Sequence, residues 1–334
     1  MISKLSIVKS NANPQKDYIN LNRLAEPRHG VLFCDFIETI VEMKIRTYGI
    51  KYRRRQKALI DHLNSFAKAM DATLYTNSIN QESLGDFLAY LQNLNLKKGY
   101  IKGLMGTVKY FIRLAGSQGY SVDPSYEFIS VEGEQTSSIY LSTNDITRIY
   151  YFKGLSKKQS DIRDLFVVGC LTALRYSDYS TLTKDNFKGD YIVKVTKKTN
   201  KKVIIPIHDF VREIFDNHGG SIPGGLCIQH FNRYIKEICR KVGLTEKVSF
   251  TYTRGHNLVT TTTERCELVS SHTARRSAAT NMYMTGRFKL FEIMSITGHT
   301  TEKAFFGYIG ISSESAARQI AGDSYFRGSA PTLL

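Results

Sequence analysis

No stretch of this sequence is both long and apolar. The longest apolar runs, such as Leu165-Phe166-Val167-Val168, fall far short of the roughly 20 residues needed to cross a bilayer. A membrane partner is therefore not expected. The N-terminus, MISKLSIVKSNANPQ, lacks an apolar core followed by a small-residue cleavage site, so secretion is not expected either. Cysteine is scarce and odd in number: Cys34, Cys170, Cys227, Cys239 and Cys266 have no CxxC or related spacing. That argues against a disulfide framework and against a zinc site, and makes a reduced cytoplasm the natural setting. No Asp/Glu cluster has the character of a magnesium site.

What the chain has in excess is positive charge. Its 46 Lys and Arg outnumber 30 Asp and Glu, giving a net charge of +16 over 334 residues. Such an excess concentrates polyanions and is a footprint of nucleic-acid binding. Basic residues outnumber acidic ones five to two in 1–30, 13 to nine in 31–130 and 28 to 19 in 131–334. Basicity spread in this way suits a protein that wraps its partner. The blander reading is a generally basic soluble protein.

The length suggests two domains. Residues 31–118 read as four short helices, each with one apolar stripe: Phe33, Phe36, Ile37, Ile40, Val41; then Leu59, Leu63, Phe66, Met70; then Leu84, Phe87, Leu88, Leu91; then Ile101, Leu104, Val108, Phe111, Ala115. Such stripes bury one another as a bundle. Arg53, Arg54, Arg55 and Lys57 crowd the start of the second helix, and Lys102, Lys109 and Arg113 share one side of the fourth. Solvated faces often look like this, but cations at a helix start oppose the macrodipole and so favour phosphate binding. Residues 119–140, rich in Gly, Ser and polar residues, read as a linker, and residues 1–30 as a short basic extension. From 141 to 334 the pattern is mostly helical. A hairpin is expected from Tyr191–Thr196 and Val203–Ile207 around the turn KKTNKK, and more extended chain over 247–270.

Four clusters carry candidate chemistry. Arg175 follows an apolar helix in TALRYSD. The hairpin turn holds Lys197, Lys198, Lys201 and Lys202. His272 and Arg275 lie three apart on one helix, with Arg276 next. Gly298-His299 precedes Tyr308 by nine residues, counted from the histidine. An arginine beside a histidine disfavours the imidazolium, and an anion between them would relieve this. Each cluster alone has an ordinary structural explanation, and Tyr308 is one of 20 tyrosines.

In this order and spacing the four clusters resemble the tyrosine recombinase (phage integrase) family, in the branch carried by bacterial mobile elements and phages. The match runs from about 140 to 320 through TALRYSD, SHTARRSAATNMYMTG, ITGHTTEKAFFGYIGIS and SSESAARQIA. The resemblance implies a mainly α fold with a small β element. An N-terminal core-binding (SAM-like) bundle and a C-terminal catalytic domain would form a clamp around DNA. It implies a site-specific recombinase that integrates, excises or inverts DNA through a 3′-phosphotyrosine, without metal or other cofactor. Tyr308 would be the nucleophile, Arg175 and Arg275 the phosphate forks, His272 a proton acceptor or relay and His299 a donor to the phosphate. The general acid would be Lys198, counted back from Pro206, with Lys197 and Lys201 open alternatives. Asp178 would buttress the arginine and histidine. Expected partners are double-stranded DNA carrying core sites, three further copies in a tetramer, and accessory DNA-bending or directionality factors. With only about 30 residues before the first helix, bridging to distant arm sites is not expected. Two other readings are a type IB topoisomerase and a catalytically silent DNA-binding regulator.

Overall fold

A computed structural model describes residues 29–134, 138–309, 317, 320, 321 and 324–327. The expected extension 1–30 lies almost wholly outside the described residues, as does most of the chain after Tyr308. The chain divides into two compact units, residues 1–135 with 252–259, and residues 136–251 with 260–334.

In the first unit α1 (Phe33–Ala69) breaks at Gly49, whose φ of 72° a side chain would disfavour. The break makes two helices of one label, as the separate apolar stripes predict. Next come α2 (Gln81–Asn93), started by a reciprocal Asn80–Ser83 cap, and α3 (Lys98–Ser117). Phe33, Ile37, Leu59, Phe87, Leu91, Val108 and Phe111 form its core. The expected linker is largely part of this unit. Residues 124–128 form a short 3-10 turn that buries Tyr126, and Val122, Ile129 and Val131 pack on the same core. Their apolar side chains outweigh the polar composition that suggested a free connection. Residues 252–259, a hairpin tip, also belong here. Gly255 N–H donates to the Leu96 carbonyl at 2.8 Å and has φ +58°, and a Cβ there would lie 2.6 Å from the Gln92 carbonyl oxygen.

The second unit is built around α5 (Lys157–Thr172), which buries Ile162, Leu165, Phe166, Val167, Val168 and Cys170. A helix apolar almost all round belongs in the middle of a fold. Around it stand α4 (Thr143–Tyr151), α7 (Asp209–Asn217), α8 (Ile228–Lys241) and α9 (Ser271–Met284). Between α5 and α7 lie the single turn α6 (Tyr176–Tyr179) and an antiparallel sheet, β1 (Phe187–Lys188), β2 (Tyr191–Val195) and β3 (Lys202–Pro206). Tyr191 pairs with Pro206 and Val195 with Lys202, so the lysine-rich turn sits at the far end of β2 and β3. The short β1 was too brief to leave a sequence pattern. Of the 247–270 stretch expected to be extended, β4 (Lys247–Arg254) and β5 (Asn257–Glu264) form a hairpin, whereas Arg265–Leu268 turn into a short 3-10 helix. After α9 come α10 (Leu290–Thr297) and α11 (Glu302–Phe306).

Candidate active site

Arg175 is placed by the way α5 ends. Ala173 takes a left-handed conformation (φ 56°), turning the chain so that Arg175 is extended and starts α6. On the other side α10 ends at Gly298 (φ 68°), which delivers His299. One side chain fixes both ends. Arg275, only 3 % exposed, donates from one Nη to the Ala173 carbonyl at 2.6 Å and from the other to the Thr297 carbonyl. These are orphan carbonyls at the negative ends of two helices, where a guanidinium fork is well matched. Arg275 therefore holds Arg175 and His299 in place as well as adding its charge.

Tyr308 lies just past α11 in a turn, not on the helix itself, with its N–H donating to the Phe305 carbonyl at 2.9 Å. Its hydroxyl donates to the His272 carbonyl at 3.2 Å, and the guanidiniums of Arg275 and Arg276 lie 5.9 and 5.2 Å from its ring centroid. His299 packs its ring 5.2 Å from that of Tyr308, and its Nδ1 is 2.8 Å from Thr297 Oγ1. The structure thus gathers Arg175, His272, Arg275, His299 and Tyr308.

Lys198 stands exposed in the β2–β3 turn, and its charge reaches His272. Asp178 is fully buried but does not bond to an arginine or histidine among the described residues. Its Oδ1 accepts from the Lys197 N–H at 2.8 Å, which anchors the lysine turn to the start of α6. The expected contact with the arginine and histidine is thus replaced, among the described residues, by one with the lysine turn.

The charge balance is lopsided. Burial and the neighbouring Arg175 push Arg275 down to about 10. Desolvation, then Arg275 and Arg175, push His299 down to about 4. His272 is lowered by desolvation, then by Arg276, Arg275, Arg175 and Lys198. Burial raises the Tyr308 phenol, against the pull of Arg275, Arg276 and Arg175. At neutral pH the site holds cations, two neutral imidazoles and a neutral phenol. It is short of negative charge, and a phosphodiester would supply it.

In the first unit the expected basic residues divide. Lys109, whose side chain is 12 % exposed, is held by Glu127, as is Arg113, and Arg53 pairs with Glu42. Arg54 and Lys57 stay exposed. Arg55 and Lys102 line a groove of about 600 Å³ between α1 and α3, with Lys44, Tyr52, Tyr110, Gly103 and Gly106. Open space lies over Gly99, Gly103 and Gly106, so the α3 backbone is bare there. Lys44 escaped sequence reading, although the glycine spacing along one face of α3 was there to find.

Residues 32–131 match the family model of the phage integrase SAM-like domain. No curated protein sequence matches the chain. Among solved structures, it superposes on the Tn1549 transposon integrase in complex with transposon right-end DNA. The TM-score is 0.62 at 12 % identity, over 87 % of this chain and 98 % of that one. The chain has the tyrosine recombinase fold. The same recombinase fold is shared with a lambda integrase dimer bound to a COC′ core site (TM-score 0.57, 18 % identity, 82 % and 94 % covered). It is shared too with a lambda integrase tetramer bound to a Holliday junction (0.53, 18 %, 81 % and 77 %).

Proposed function

We propose that this protein is a site-specific tyrosine recombinase that cuts and rejoins double-stranded DNA. One observation carries the reading: Arg175, His272, Arg275 and His299 converge on Tyr308, in a pocket that lacks the negative charge its cations require. The Tyr308 oxygen leaves the His272 carbonyl and attacks the scissile phosphorus, so that a Tyr308 O–P bond forms as the P–O5′ bond breaks. Neutral His272 takes the phenol proton. Arg175, Arg275 and His299 neutralise the phosphate oxygens as charge gathers on them. Lys198 protonates the departing 5′ oxygen. The 3′-phosphotyrosine conserves the bond, and a 5′-hydroxyl from the same or another strand reverses the steps.

In this reading the first unit grips DNA with Arg55, Lys102 and neighbouring cations. Four copies assemble on paired core sites of a mobile element, which the protein integrates, excises or inverts. The test is a nicked suicide substrate carrying the element's core site, incubated in EDTA. Wild type should form a covalent adduct. Tyr308→Phe should form none, and Arg175→Ala should bind the site but fail to cut. An adduct that persists in Tyr308→Phe contradicts the proposal.

A further inference from the structure

The tandem arginines of α9 have different surroundings, and the mechanism above uses only the first. Arg275 spends its fork on the ends of α5 and α10. Arg276, one residue on and therefore about 100° further round the helix, faces the nucleophile from behind. Its Nε donates to the main-chain carbonyl of Tyr308 at 2.9 Å, and its guanidinium lies 5.2 Å from the phenol ring centroid. Its Nη1 reaches the Ile139 carbonyl at 3.5 Å. Ile139 belongs to the stretch that opens the second unit, and α9 grips that stretch elsewhere as well. Ser277 Oγ accepts from Leu141 N–H at 2.8 Å and Asn281 donates to the Leu141 carbonyl at 3.0 Å.

We propose that Arg276 is a positioning residue for strand cleavage, which pins the main chain of the nucleophile to α9 while leaving the phenol free to swing onto phosphorus. The proposal rests on the recombinase reading and adds to it a residue outside the phosphate-binding set. Two physical consequences follow. The Tyr308 peptide is held although α11 has already ended, so the nucleophile needs no helix to locate it. The fixed positive charge also favours the phenolate, which makes Tyr308 the stronger acid, and it keeps His272 neutral and open to a proton at neutral pH while weakening that imidazole as a base.

The test separates this role from mere folding. The full chain is labelled with 3-fluorotyrosine, and the Tyr308 fluorine resonance is assigned by its loss in Tyr308→Phe. Arg276→Gln keeps a hydrogen-bond donor and loses the charge. The Tyr308 titration midpoint should then move to higher pH by about half a unit or more. With saturating suicide substrate, Arg276→Ala should slow adduct formation by about 100-fold, with Arg276→Lys in between and core-site affinity unchanged. A Tyr308 midpoint that stays put in Arg276→Gln, or wild-type cleavage by Arg276→Ala, overturns the proposal. If wild type itself forms no adduct, the recombinase reading fails, while the fluorine titration still decides whether Arg276 acts on Tyr308.

Discussion

His299 shows how much of the site depends on surroundings that a sequence does not display. Its identity and its distance from Tyr308 were legible, because a glycine that ends a helix and a tyrosine nine residues after the histidine are both linear features. Its protonation state was not, because burial and the charges of Arg275 and Arg175 come from other segments. The folded ring refuses a proton until about pH 4, whereas an unfolded histidine accepts one near 6.5. Between those values the unfolded chain binds more protons, so stability is present above 6.5 and is lost as pH falls toward 4. Thermal melts of wild type at pH 7.5 and pH 5 should show a loss that is smaller in His299→Gln. Equal losses would mean that His299 titrates normally. The division between Arg275, which staples two helix ends, and Asp178, which holds the lysine turn, was likewise invisible in sequence. Both depend on main-chain carbonyls and amides that fold brings near.

At the scale of elements, periodicity placed the two halves of α1, α2 and α3, since each keeps an apolar face toward a core. It misjudged residues 119–134, where a polar composition hid the few side chains that pack. The decisive helix contact is between α5 and α9: Arg175 follows the end of α5, and Arg275 lies in the second turn of α9. Gly169 sets its closeness, because a Cβ there would lie 2.7 Å from the ring of fully buried Tyr179 and 3.1 Å from the Ala274 Cβ. Gly169→Val should therefore lower stability by about 2–3 kcal/mol through overpacking, despite the better helix propensity of valine. Urea unfolding measures this, and a variant as stable as wild type would show that the helices separate freely.

Over the whole molecule, the charge of +16 pointed to nucleic acid before any residue was assigned. The structure changes which cations are free to act. Lys109 is occupied by Glu127, whereas Arg55 and Lys102 line the groove. In duplex binding measured against salt, Arg55→Ala and Lys102→Ala should each lower the slope of log K on log salt by about one, and Lys109→Ala should leave it unchanged. The reverse pattern would return the DNA to the Lys109 face. The claim that joins fold, charge and site is that Tyr308 becomes bonded to the 3′ end of a cut strand. Mass spectrometry of the nuclease-trimmed, protease-digested adduct tests it most directly. The account predicts a nucleotide attached through its 3′-phosphate to the peptide containing Tyr308, and a nucleotide on any other residue, or attached through its 5′-phosphate, would contradict it.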